Sequence, residues 1–226
     1  MILDKLKGAL IVSCQPVIGG PMDTPAIVAA FARAALDGGA AGLRIQGLEN
    51  LRAVRATTDA PVIGLLKTEA DDGTVFITPR AEQARALAGA GADIVAFDAT
   101  DRARPDPLKA LVAAIHDAGA LAMADCATAE DGARAAALGC AILGSTLSGY
   151  TGGEVPSGPD LALVSRLAKT GAFVIAEGRY HAPADAATAI RAGADAVVVG
   201  SAITRPEHVT GWFARAIADA RQEGAP

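Results

Sequence analysis

The sequence predicts a single-domain (β/α)8 TIM barrel of the α/β class, spanning residues 1–226. Three observations carry that expectation. Short apolar runs alternate eight times with helix-like segments, a pattern that means a parallel sheet with right-handed crossovers. Small-residue turns such as Ala90-Gly-Ala-Asp93 and Ala192-Gly-Ala-Asp195 end the helix-like segments, with glycine where a helix C-cap takes a left-handed residue. The length, 226 residues, sits a little under the ~250 typical of eight such units, so little room remains for insertions.

Taken in order, the chain opens on a short amphipathic piece, Met1-Ile-Leu-Asp-Lys-Leu-Lys7, which lacks the long apolar core and cleavage site of a signal peptide. The first strand is expected at 10–15, ending Ser13-Cys14-Gln15. A helix over 25–37 follows, with Pro25 in its first turn, where a missing N–H costs nothing. Strand 42–46 contains Arg44 and Gln46, and a helix over 48–57 follows. The run Pro61-Val-Ile-Gly-Leu-Leu-Lys67 reads as a strand buried on both faces that ends on one lysine. Loop 68–78 leads to a helix over 80–90. Strand 94–100 contains Asp98 and Thr100, and strand 121–126 ends on Asp125 and Cys126. Helices over 106–118 and 128–138 follow them. Strand 141–146 ends on Ser145 and Thr146. A glycine-rich loop over 147–158 leads to a helix over 159–169, and strand 173–178 ends on Glu177 and Gly178. A helix over 183–192, strand 196–200 and a helix over 206–221 complete eight units. Pro79, Pro107, Pro159 and Pro183 mark first turns. The two long loops lie on the carboxyl face and are candidate lids. The last helix carries Val209, Trp212, Phe213, Ala216 and Ile217 on one face, a stripe that suits core or subunit contact. A homo-oligomer, first of all a dimer, is expected.

Composition narrows the function classes. The formal charge is −5 and no basic run is present, which gives no support for nucleic-acid binding. A small anionic substrate remains open, because local arginines matter more there than net charge. No stretch approaches the roughly 20 apolar residues of a membrane span. Cys14, Cys126 and Cys140 form neither a disulfide framework nor a CxxC pair. His116, His181 and His208 are isolated, so no metal site is expected. These features suit a soluble cytoplasmic protein.

The chemistry gathers at the strand ends, where barrels of this class carry their active sites. Lys67, held among apolar neighbours, can lose its proton because desolvation disfavours the ammonium. Arg44 on the adjacent strand adds a second cation, which lowers the lysine further. Glu177 ends an apolar run, so its carboxyl must be paired or protonated. Arg179, Arg205 or Lys67 could pair with it, or it could serve as an acid. Asp125 faces the same choice. Gly178 and Gly200-Ser201 follow the last two strands, with Arg205 behind them, and barrels often hold phosphate there on backbone N–H groups. No GxGxxG or Walker sequence is present.

Eight segments carry a resemblance. They are Ile11-Val-Ser-Cys-Gln15, Gly42-Leu-Arg-Ile-Gln46, Val75-Phe-Ile-Thr-Pro79, Asp98-Ala-Thr-Asp-Arg102, Met123-Ala-Asp-Cys126, Thr146-Leu-Ser-Gly-Tyr-Thr151, Ile175-Ala-Glu-Gly-Arg179 and Val199-Gly-Ser-Ala-Ile-Thr-Arg-Pro206. With these the chain resembles the N-acylmannosamine-6-phosphate 2-epimerases of sialic acid and amino-sugar breakdown. The resemblance implies cofactor-independent interconversion of N-acetylmannosamine 6-phosphate and N-acetylglucosamine 6-phosphate. It implies Lys67 as the base at C2 and Glu177 as the second acid/base group. It assigns the sugar and its acyl group to Gln15, Arg44 and Asp125, with Arg179 beside them. It assigns the phosphate to Gly178, Gly200, Ser201 and Arg205. Loops 16–21 and 68–73 depart from the family pattern. Three other readings compete: a Schiff-base aldolase, a non-catalytic sugar-phosphate-binding module, and an assembly subunit. The polar residues at the strand ends argue against the last two.

Overall fold

The structure, a computed structural model, describes residues 1–152 and 154–223. It opens with α1 (Ile2–Leu6), β1 (Ala9–Cys14), α2 (Pro25–Asp37), β2 (Gly42–Gln46), α3 (Leu48–Arg55) and β3 (Val62–Leu65). Two short strands, β4 (Lys67–Glu69) and β5 (Val75–Ile77), precede α4 (Ala81–Gly89). Then come β6 (Ile94–Asp98), α5 (Leu108–Asp117), β7 (Leu121–Asp125), α6 (Ala129–Ala137) and β8 (Ile142–Gly144). The chain continues through α7 (Leu161–Ala168), β9 (Phe173–Glu177), α8 (Pro183–Arg191), β10 (Ala196–Val199), α9 (Ser201–Thr204) and α10 (Pro206–Glu223). Eight parallel strands, β1, β2, β3 and β6 to β10, close into a barrel, with β10 paired back to β1. The expected fold class is the observed one.

Local chemistry explains where the helices begin. Thr24 accepts a bond from the Ile27 N–H, Thr128 from the Asp131 N–H and Asp160 from the Leu163 N–H, each satisfying an N-terminal donor. Pro25 and Pro183 occupy the first turns of α2 and α8. Pro107 and Pro159 instead lie just outside α5 and α7, because Pro107 is the cap of α5 and Asp160 caps α7.

Successive side chains of a strand point to opposite faces, and the barrel separates them into two cores. Val12, Leu43, Ile45, Val62, Val95, Phe97 and Leu143 point outward against the helices. Ile11, Ile63, Leu65, Ile94, Met123, Ile142, Ile175 and Val198 fill the interior. Leu6 of α1 plugs the amino end of the barrel and is fully buried. A Cβ on Gly42 would meet the Leu6 Cδ2 at 2.7 Å, so glycine there makes room for the plug. Towards the carboxyl end the buried residues turn polar, with Ser13, Arg44, Asp98 and Asp125.

Two expectations are corrected. The strand expected at 61–67 stops at Leu65, and loop 68–78 is a β-hairpin, with β4 antiparallel to β5 and Lys67 opposite Ile77. Leu66 leaves the barrel because Thr78 holds it from both sides. The Thr78 N–H donates to the Leu66 carbonyl at 2.7 Å, and the Leu66 N–H donates to Thr78 Oγ1 at 3.1 Å. The stripe on α10 is only partly covered: Val209 and Trp212 are half-buried, with Trp212 against His181, while Phe213 is 68% and Ile217 61% exposed.

Candidate active site

A cavity of about 820 Å³ opens at the carboxyl end of the barrel. Gln15, Arg44, Lys67, Glu177, Gly178, Arg179, Gly200, Ser201 and Arg205 all line it. Inward parity explains much of this gathering. Gln15, Arg44, Asp125 and Glu177 each stand an even number of residues along their strand from an interior position, namely Ile11, Gly42, Met123 and Ile175, while Lys67 lies past the break at Leu66.

Lys67 heads the hairpin rather than ending β3. Among the described residues no carboxylate lies within ion-pairing distance of its amine. Burial lowers its pKa first, and the Arg205 and Arg44 charges add to this, bringing it from 10.5 to about 8 against the opposing pull of Glu177 and Asp125. The hairpin that carries it is tied down at several points. Gln83 Nε2 donates to Thr68 Oγ1 at 2.9 Å, and Arg102 Nη2 reaches the Val75 carbonyl at 3.4 Å. Thr78 is fully buried with φ +46°, a strained backbone for a β-branched residue.

Arg44 is 1% exposed and crosses the barrel interior. Its Nη2 donates to Asp125 Oδ2 at 2.6 Å, and its Nη1 meets Met123 Sδ at 3.5 Å. Its Nε lies 3.2 Å from Glu177 Oε2 but is not aligned as a hydrogen bond. Burial works against the guanidinium charge, but Asp125 and Glu177 outweigh it and raise its pKa. Burial also raises the carboxyls of Glu177 and Asp125, while Arg44 pulls both down. The partner of Glu177 is therefore Arg44, and the pairs considered with Arg179, Arg205 and Lys67 do not form.

Asp125 does not line the cavity. It is completely buried behind Arg44 and Thr146, whose hydroxyl lies 2.7 Å from Asp125 Oδ1, and backs the cavity wall. Arg179 reaches the cavity with two of its nitrogens already engaged. Nε donates to the Gly158 carbonyl at 2.8 Å and Nη1 to the Ser148 carbonyl at 2.9 Å, with the guanidinium 5.6 Å from the Tyr150 ring centre. It anchors the 147–158 loop, and its φ of +61° turns the chain sharply after Gly178.

Gln15 Nε2 donates to Ser13 Oγ at 2.8 Å, while Gln15 Oε1 is buried without a partner among the described residues. The Tyr180 hydroxyl is likewise buried and unpartnered on the same cavity, and burial raises it to about 12. Unsatisfied buried polar groups on a cavity wall suit a polar ligand. Arg205 Nε donates to the Gln15 carbonyl at 2.7 Å, which leaves its terminal nitrogens for a ligand. Thr204 Oγ1 donates to the Ser13 carbonyl at 2.7 Å and binds α9 to β1. The first backbone bond of α9 runs from the Ile203 N–H to the Gly200 carbonyl, so the Ser201 and Ala202 N–H groups precede it.

Thr146, Arg102 and His181 also line the cavity and were not assigned from the sequence. Thr146 was within reach, standing two residues after the inward Gly144. Arg102, ion-paired to Asp98 and 4.6 Å over the Phe76 ring, sits in a loop without periodicity. His181 stacks on Trp212 at 4.2 Å. Among the described residues no group of three His, Cys, Asp or Glu side chains is arranged for a metal ion. No helix there is long and apolar enough to cross a membrane.

A barrel with a lysine of lowered pKa, a raised carboxyl and a buried guanidinium at one mouth carries a candidate enzyme site. Comparison with known proteins narrows that class. The sequence pattern of the family described as "Putative N-acetylmannosamine-6-phosphate epimerase" matches residues 28–219, and the chain belongs to this family. A relative from Actinobacillus pleuropneumoniae serotype 5b (strain L20) is 54% identical over 97% of this chain and 96% of its own. One from Yersinia pseudotuberculosis serotype O:3 (strain YPIII) is 57% identical over 97% and 94%. Both are named "Putative N-acetylmannosamine-6-phosphate 2-epimerase". The solved N-acetylmannosamine-6-phosphate 2-epimerase of Clostridium perfringens superposes with a TM-score of 0.91 at 40% identity, over 95% of this chain and 96% of that one. A thiamine phosphate pyrophosphorylase from Pyrococcus furiosus, TM-score 0.61 at 19% identity over 90% of each chain, shares the fold alone.

Proposed function

We propose that this protein interconverts N-acetylmannosamine 6-phosphate and N-acetylglucosamine 6-phosphate by removing and returning the proton at C2. The observation that carries this reading is Lys67, whose amine has a pKa of about 8 and, among the described residues, no carboxylate within ion-pairing distance, in one cavity with Glu177.

In the open-chain sugar the C2 hydrogen lies α to the C1 aldehyde. Neutral Lys67 takes it, and charge develops on O1 as the enediol forms. Arg44 and Glu177 supply a cation and a proton donor for that oxygen. The planar C2 then accepts a solvent-derived proton on its other face as O1 returns its proton to Glu177, and Lys67 releases the one it took to solvent. Only protons move, so the reading assigns no role to a metal or cofactor. Gln15 contributes a free acceptor towards the sugar or its acyl group. The N–H groups after Gly178 and Gly200, with Ser201 and Arg205, form the phosphate end of the site.

The decisive test is proton NMR of N-acetylmannosamine 6-phosphate with the protein in deuterated water. The 2-epimer should accumulate with deuterium at C2. Cleavage products, or a borohydride-trapped adduct on Lys67, would overturn the reading in favour of a Schiff-base aldolase.

The same reading extends to the assembly and the compartment. The exposed apolar stripe of α10 supports a homodimer, and sedimentation of a Phe213→Asp/Ile217→Asp variant should then show monomer. Three buried free thiols support a reducing, cytoplasmic setting.

A further inference from the structure

Glu177 is held at its backbone and at one carboxyl oxygen. Ser145 Oγ accepts from the Glu177 N–H at 3.0 Å and donates to the Glu177 carbonyl at 2.9 Å, which pins the residue at the end of β9. Glu177 Oε2 then lies 3.0 Å from Thr146 Oγ1, and the same hydroxyl lies 2.7 Å from Asp125 Oδ1. A threonine hydroxyl has one hydrogen and two lone pairs. Between two ionised carboxyls it could donate to only one, and the other contact would set a lone pair against a carboxylate. Both contacts become hydrogen bonds only when one carboxyl carries a proton and donates it to Thr146.

Arg44 decides which one. Its Nη2 makes an aligned bond of 2.6 Å to Asp125 Oδ2, the length of a charge-assisted pair. Its Nε sits near Glu177 Oε2 without alignment. The ionised partner is therefore Asp125. We propose that Thr146 is a positioning residue that keeps Glu177 in its acid form, accepting the Glu177 proton while donating its own to Asp125.

The cluster then contains one guanidinium, one carboxylate and one carboxylic acid, and is neutral overall. The charges facing Glu177 are Arg44 from β2, Asp125 from β7 and Lys67 from the hairpin. Arg205, which follows α9, acts on Lys67. Burial and the Asp125 charge raise the Glu177 carboxyl, in keeping with a retained proton; a Thr146 hydroxyl that donated to Glu177 would lower it instead, but its single hydrogen goes to Asp125, the nearer of the two at 2.7 Å against 3.0 Å. Glycine at 144 protects the arrangement, since a Cβ there would come within 2.9 Å of Thr146 Oγ1 and 3.2 Å of Asp125 Oδ1. The use of this proton in turnover rests on the epimerase reading, where the Glu177 O–H bond breaks as a sugar oxygen takes the proton. The proton count in the resting protein does not rest on it.

Infrared spectroscopy of the intact protein tests the count without substrate. At pH 7 the wild type should show a protonated-carboxyl C=O band that Glu177→Gln removes. Thr146→Val keeps the shape and deletes the hydroxyl, so Glu177 loses the acceptor for its proton. Its titration midpoint should fall by about one pH unit, a tenfold change in the protonated fraction. Thr146→Ser should restore the wild-type midpoint. No band component lost in Glu177→Gln, or a midpoint unmoved in Thr146→Val, overturns the proposal even if the protein is an active epimerase. A lost component and a shifted midpoint support it even if the sugar assay fails.

Discussion

Replacing Lys67 by methionine should abolish activity and stabilise the fold at neutral pH. Methionine keeps the length of the side chain and removes the charge. In the folded protein the ammonium suffers burial and repulsion from Arg205 and Arg44, and its pKa falls from 10.5 to about 8. Each unit is worth ~1.4 kcal/mol, so the protonated lysine destabilises the fold by up to about 3 kcal/mol. The sign follows from proton counting. Below pH 8 folded and unfolded chains both hold the proton, and the full destabilisation is present. Between about 8 and 10.5 the unfolded chain binds more protons, so wild-type stability rises with pH. Above that range the lysine is neutral in both states and the difference is gone. The assay is urea unfolding of the wild type and Lys67→Met at pH 7 and pH 10, with the midpoint converted at a common slope. The variant should be the more stable at pH 7, and its advantage should shrink at pH 10. A variant less stable than wild type at pH 7, or an advantage that ignores pH, would refute the picture of a strained ammonium. The same shift makes roughly a tenth of Lys67 neutral at pH 7. Activity should therefore climb with pH and level off above 8 in kcat/KM profiles.

Three other outcomes are expected. Glu177→Gln should fold normally and lose most of kcat, each tenfold loss equalling ~1.4 kcal/mol of barrier in steady-state kinetics. Arg205→Ala should raise KM for the phosphorylated sugar far more than for unphosphorylated N-acetylmannosamine, and should move the rise of both pH profiles upward because a charge that lowers the Lys67 pKa is gone, which a paired substrate assay reads. Gly144→Ala should push into Met123 Cε, 2.7 Å from the new Cβ, and into Thr146 Oγ1. It should cost about 1–3 kcal/mol by overpacking and lower kcat, as thermal unfolding and turnover would report.

The amino-acid order by itself determined the barrel and the inward set. Period-two alternation decides which face of a strand a residue takes, so Arg44, Asp125 and Glu177 were legible as interior positions near strand ends, whereas Lys67 was legible only as the polar end of an apolar run. Glycine turns and first-turn prolines marked the units within a few residues, because capping is chemistry between near neighbours. The partners across the barrel were decided only by the tertiary structure. Arg44 meets Asp125 and Glu177 from strands 81 and 133 residues further on, and which oxygens meet depends on closure and register rather than on spacing along the chain. The break at Leu66 was hidden for the same reason, since apolar residues continue through it and the bonds that turn the chain come from Thr78. Arg179 read as a free cation until the 147–158 loop folded back and offered its carbonyls. A stripe of apolar residues on α10 reads alike whether it covers a core or stands in solvent, because periodicity encodes a face and not what lies against it.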